Sequence, residues 1–139
     1  MRVLLDTNIL IDLIAQRPSF VENAKTILML CTEKQIDGCI AAHSVTNAFY
    51  ILRKELAADE RRKILSDLCR LLTVVGIEKE KLISALENED FSDIEDCLQA
   101  ECAKEFKADY IVTRNINDYR NSAIPAILPD EFLKKTNYV

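Results

Sequence analysis

Short apolar runs that stop abruptly alternate along this chain with stretches whose apolar residues recur every three or four positions. Val3-Leu4-Leu5 ends at Asp6 and is followed by Ile9, Leu10, Leu13 and Ile14 at helical spacing. Gly38-Cys39-Ile40-Ala41-Ala42, after a turn expected at Asp37-Gly38, leads into a helix from near Ser44 that carries Ala48, Tyr50, Ile51 and Leu52. Thr73-Val74-Val75 stops at Gly76, Tyr110-Ile111-Val112-Thr113 forms a fourth run, and Ile124 to Leu128 forms a fifth, interrupted at Pro125. Between them the spacing predicts a helix after Pro18 that buries Phe20, Ala24, Ile27, Leu28 and Cys31. A helix capped by Asp59 follows, with Ile64, Leu65, Leu68, Leu71 and Leu72 inward. Another helix runs from Glu78 to Asn88. The next opens on a capping box of Ser92 and Glu95 and buries Ile94, Cys97, Leu98, Cys102 and Phe106. A short one from Asp130 to Lys135 begins behind Pro129. Strands that alternate with helices call for a mostly parallel sheet covered on both sides. The expected architecture is α/β: a three-layer α/β/α arrangement around a central sheet of about four or five strands.

With only two glycines, three prolines and no low-complexity stretch or repeat, residues 1–139 read as a single domain. Hydrophobic residues make up 49% and charged residues 29%, a globular balance that can bury a core without staples. The longest unbroken apolar runs, such as Ile27 to Cys31, hold five residues against about 20 for a membrane span, so no membrane association is expected. The opening Met1-Arg2-Val3-Leu4-Leu5-Asp6 is charged too soon for a signal peptide, and a cytoplasmic location is expected. Five cysteines without C-x-x-C spacing read as reduced, buried thiols, and a single histidine, His43, argues against a zinc site. The net charge of −5 excludes a protein that holds long nucleic acid by charge alone, though not a local basic groove.

Open α/β sheets bind ligands beyond the carboxyl ends of their strands. Asp6 ends the first strand; His43, Ser44, Thr46 and Asn47 follow the second; Thr113, Asn115 and Asp118 follow the fourth. Asp93 and Asp96 fall in the first turn of the helix that leads into the fourth strand, so acids from three distant segments are expected on one rim. Two carboxylates about 4 Å apart repel by roughly 4 kcal/mol at an effective dielectric near 20. Three or four would consume much of a net stability of about 5–15 kcal/mol. Such groups either hold protons or share a divalent cation, and an all-oxygen set suits Mg²⁺ or Mn²⁺. An ion of that kind activates water and neutralises charge on a phosphodiester. Spacing alone leaves simpler roles open: Asp6 as a helix cap, Asp93 and Asp96 as dipole partners, Asp118 as a loop acid and His43 as a packed residue. Arg114, beside the site, and Arg53, Lys54 and Arg17 are candidate phosphate contacts or else solvated charges.

At these residues the sequence resembles the PIN domain family over nearly its whole length. Val3-Leu4-Leu5-Asp6-Thr7-Asn8-Ile9-Leu10 is similar to the family's first strand and leading aspartate. Asp93-Ile94-Glu95-Asp96-Cys97-Leu98-Gln99 is similar to its central acidic helix start. Asp109 to Asn115, followed by Asp118-Tyr119, resembles its last motif, and Pro129-Asp130-Glu131-Phe132-Leu133 a common tail. The resemblance implies a Mg²⁺- or Mn²⁺-dependent endoribonuclease acting on single-stranded RNA, often the toxin of a toxin–antitoxin pair and often a homodimer. It implies Asp6, Asp96 and Asp118 as metal-facing catalytic carboxylates, Asp93 as a helper, and Asn8, Asn47, Thr113 and Asn115 as support, with Arg114 toward RNA. Two departures stand out: Asn47 where the family usually has glutamate, and Asn115 where many relatives have aspartate. Each removes a negative charge, although an amide still ligates through its oxygen. The Ser44-x-Thr46-Asn47 version marks a branch of small bacterial relatives, hence a variant site.

The alternative reading is a fold that binds RNA or a protein partner without turnover. A phosphohydrolase of the haloacid dehalogenase type fits less well, because Asp6-Thr7-Asn8 lacks that chemistry's second acid. The helices that carry Phe20, Phe49 and Tyr50 offer a face for a homodimer, and core burial explains these aromatics equally well.

Overall fold

The computed structural model describes residues 1–136. In chain order its elements are β1 (Arg2–Leu5), α1 (Thr7–Ile14), α2 (Val21–Thr32), β2 (Asp37–Ala41), α3 (Ala42–Ile51) and α4 (Ala58–Leu71). After these come β3 (Thr73–Val75), α5 (Lys79–Glu87), α6 (Ile94–Phe106), β4 (Tyr110–Val112), β5 (Ala126–Ile127) and α7 (Pro129–Lys135). Single 3₁₀ turns fill Leu52–Lys54 and Ile116–Tyr119.

Alternating side chains of the strands decide the layers. Val3 and Leu5 of β1, with Ile40, Val112 and Ile127, turn to one face, where α1, α2, α3, α4 and α7 bury their apolar stripes. Leu4, Cys39, Ala41, Val75 and Ile111 turn to the other, covered by Ala100, Cys102, Ala103 and Phe106 of α6. Helix α5 packs outside α6 through Ala85, Cys97 and Leu98. The three-layer expectation therefore holds, and every strand pair is parallel, in the order β3-β2-β1-β4-β5. Chain direction across the sheet reverses between β1 and β4, and a crevice opens at such a switch point. There the Asp6 amide donates to the Val112 carbonyl at 3.0 Å. No described helix is long and apolar enough to cross a membrane.

Several local expectations shift. Asp37 and Gly38 lie within β2 rather than in a turn, and Gly38 is there for close packing, since a Cβ would come within 2.6 Å of the Cys31 sulfur. α3 begins at Ala42, directly off the strand. Asp59 lies inside the first turn of α4 and Ala57 takes the cap position, without a side-chain bond. Asp93, not Ser92, caps α6: its Oδ1 accepts from the Glu95 and Asp96 amides at 2.7 and 3.2 Å. Phe20, Leu71 and Ile94, expected on the buried faces of their helices, are exposed, as are Tyr50 and Ile51 of α3. Cys39, Cys97 and Cys102 are buried, whereas Cys31 and Cys69 are half-buried; all five are free thiols.

Candidate active site

Asp6 leaves β1 in extended conformation and caps α1, so its carboxylate is held from the first turn of that helix. Oδ1 accepts from the Thr7 amide at 2.7 Å. Oδ2 accepts from the Thr113 hydroxyl at 2.8 Å and, more loosely, from the Asn8 side-chain amide at 3.4 Å. Thr113 follows β4 and is fully buried. Its oxygen in turn accepts from the Asn8 side chain at 3.2 Å and the Asn115 amide at 3.0 Å. That leaves its one proton to point at Asp6. Asn8 closes the ring by accepting the Arg114 amide at 3.3 Å. Hydrogen bonds from neutral groups thus fix Asp6 without neutralising it.

Asp6, Asp96 and Asp118 line one cavity of about 520 Å³ together with Asn8, Asn47 and Asn115. Asp96 projects from the first turn of α6 and Asp118 from the 3₁₀ turn after β4. The electrostatics register their proximity. Burial raises the Asp6 carboxyl above the ordinary value, the Thr113 hydroxyl and Thr7 amide pull it down, and Asp118 adds to the rise. Burial first, then Asp93, Asp118 and Asp6, push Asp96 up to about 7. The cations beside the cavity do not relieve this charge. Arg17 is held by Glu55 at 2.9 Å, and Arg114 grips Asp12 with two nitrogens at 2.6 and 3.0 Å while lying 4.2 Å over the Phe20 ring. Arg114, expected toward a phosphate, instead spends its fork on a buried partner.

Asp93 stands apart from the central cavity, in an adjoining hollow that it shares with Asp96 and Asp118. One of its oxygens is committed to the α6 cap. His43 turns away and sets Nε2 3.1 Å from the Glu95 carbonyl. Burial holds its imidazole below the ordinary value, which fits the packed role rather than a base.

Two features escaped the sequence. A polar knot ties the helices at the cavity wall: Thr7 Oγ1 donates to Ser44 Oγ at 2.9 Å, and the Gln99 side-chain amide donates to both hydroxyls. Gln99 lies three residues after Asp96 and Ser44 three before Asn47, the helical spacing that puts each on its partner's face. Tyr119 is buried, with its phenol against Asp6 and Asp96 but in no regular hydrogen bond. Burial and the two carboxylates push its hydroxyl far above the usual range, so it stays protonated.

Among the described residues, no group of three or more His, Cys, Asp or Glu side chains is placed to hold a metal ion by itself. The donor set nonetheless fits a hard ion. Magnesium keeps several waters and takes one or two carboxylates plus substrate phosphates rather than an all-protein cage. Carboxylates that raise one another's proton affinity around an open cavity suit that mode of binding.

A family model described as PIN domain matches residues 2–117. Among solved structures, the chain is similar to VapBC2 from Rickettsia felis bound to a promoter DNA fragment, at 20% identity and a TM-score of 0.67, over 92% of this chain and 98% of that one. It is similar to a toxin–antitoxin complex from Klebsiella pneumoniae at 21% identity and a TM-score of 0.67, over 91% and 97% of the two chains. FitAcB from Neisseria gonorrhoeae aligns at 15% identity and a TM-score of 0.64, over 91% and 97%. At these identities the likeness is one of fold. No curated protein sequence matches the chain.

Proposed function

We propose, from the premise that the chain belongs to the PIN domain family, whose members are generally nucleases that use divalent metal ions, that it is an endoribonuclease acting on single-stranded RNA. The observation that carries this reading is the convergence of Asp6, Asp96 and Asp118 on one cavity at the switch point of the sheet. These three would hold Mg²⁺ or Mn²⁺, partly through water, with Asp93 acting from the adjoining hollow. Bound there, the ion supplies a reactive water at neutral pH and charge neutralisation on the phosphodiester. The Thr113 hydroxyl and Asn8 amide orient Oδ2 of Asp6, and the Thr7 amide orients Oδ1. Asn47 and Asn115 offer amide groups to water or phosphate without adding charge. Arg114 braces this shell through its backbone bond to Asn8.

The solved relatives include toxin–antitoxin complexes. By extension the chain would be the toxin of such a pair, restrained by an antitoxin protein in the cytoplasm. Two copies paired as a homodimer would join their cavities into a longer groove. A second reading, binding without turnover, draws on Asn47, which leaves the α3 side of the cavity uncharged.

Incubating the purified chain with labelled single-stranded RNA and Mn²⁺ separates the readings. Cleavage should appear, stop with a chelator, and vanish in Asp6→Asn and Asp96→Asn. Binding without cleavage would favour the second reading, and cleavage unchanged in both variants would refute the carboxylate mechanism.

A further inference from the structure

Tyr50 is 62% exposed, although it lies in the last turn of a helix that begins directly off β2. It lines the mouth of the same cavity as Asp6 and Asp96. The Arg53 guanidinium lies 3.9 Å from its ring centroid, and Nη1 of that arginine donates to the Tyr50 carbonyl at 3.0 Å. The arginine is therefore held against the ring by its own turn of chain, and much of the ring stays open to solvent. Unlike Arg17 and Arg114, which carboxylates hold at the cavity wall, Arg53 spends its contacts on a π face and a carbonyl, so its charge remains available.

We infer that Tyr50 and Arg53 form a stacking subsite for one nucleobase of the RNA strand, next to the nucleotide whose phosphodiester enters the carboxylate cavity. The inference rests on the nuclease reading and specifies how that site takes its substrate. An acidic protein cannot hold RNA by charge alone, and base stacking is the attraction that does not depend on net charge. A cation stacked on an aromatic ring extends the platform and offers its edge to the neighbouring phosphate. Because the Arg53 backbone bond fixes the pair beforehand, little ordering remains when a base arrives. A partner protein would be expected to meet a broad apolar face, whereas the exposed apolar patch here is limited to Tyr50 and Ile51 with the exposed Arg53 and Lys54 beside it, a charged setting that favours a nucleotide.

The test is cleavage kinetics in Mn²⁺ on a short single-stranded RNA, in its normal form and with abasic nucleotides beside the cut site. Tyr50→Ala should raise KM on normal RNA about tenfold with little change in kcat, and Tyr50→Phe should keep the wild-type KM. Wild type should lose a similar factor on the abasic RNA, where Tyr50→Ala loses nothing further; a purely structural role would not produce that coupling. Unchanged KM in Tyr50→Ala, or equal loss on both RNAs, would overturn the subsite while leaving the nuclease reading intact. A variant that changes oligomeric state but not KM would assign Tyr50 to a second copy of the chain and also overturn it. Absence of RNA binding and cleavage by the wild type would overturn both readings.

Discussion

Asp6 and Asp12 sit six positions apart, one capping α1 and the other inside it, and both are buried, 7% and 1% exposed. Their surroundings differ in one respect. Asp12 meets a guanidinium in a two-pronged grip, and Phe20 closes over the far side of that arginine. Asp6 meets only neutral donors, while Asp96 and Asp118 face it across the cavity. Burial of a carboxylate therefore does not mark a site in this molecule; burial without a counter-charge does. One aspartate is electrically complete within the chain, and the other needs something from outside it.

Breaking the complete pair should produce the largest effect. Arg114→Ala leaves Asp12 buried and uncompensated, a loss expected to cost about 3–5 kcal/mol in a denaturant titration. Asp12→Ala should cost less, because the arginine is 31% exposed and can turn to water. The incomplete side should respond in the opposite sense. Asp96→Asn should lower cleavage at least about 100-fold, yet leave the metal-free protein no less stable than wild type at pH 8. Thr113→Val removes the proton aimed at Asp6 and the acceptor for Asn8 and Asn115, and should reduce metal affinity about tenfold.

A further effect is a pH dependence. The folded-state value of Asp96, about 7, lies above the ordinary 3.8, so the folded chain holds this proton more tightly than the unfolded chain. The associated stability is fully present below about pH 4 and is lost as the pH rises through 7. Metal-free protein should thus melt at a lower temperature at pH 8 than at pH 5 as far as this rim is concerned. Saturating Mn²⁺ or Asp96→Asn should flatten the difference in a thermal scan.

The contrast also explains which parts were legible in the sequence. That Asp6, Asp96 and Asp118 line one cavity was legible because each follows a strand or opens a helix at the carboxyl edge, where parallel sheets place their ligands. The strands could be found because apolar runs such as Val3-Leu4-Leu5 are buried on both faces. The Asp12–Arg114 pair could not, since its members are 102 residues apart and an arginine in a polar loop looks solvated. The α6 cap was misread because Ser92 with Glu95 matches a capping box, while Asp93, one residue nearer, reaches two amides. The exposure of Tyr50 and Ile51 was not legible, because periodicity reports an apolar face without saying whether a cavity opens beside it.

Calorimetric titration of the full chain with Mn²⁺ at pH 7, in two buffers of different ionisation heat, tests most directly whether the acidic rim is completed by a cation. Binding should occur with net release of protons, because Asp96 is partly protonated there, and both the binding and the release should weaken sharply in Asp96→Asn and Asp118→Asn. A flat titration into the millimolar range, or binding that these two variants leave untouched, would contradict the account.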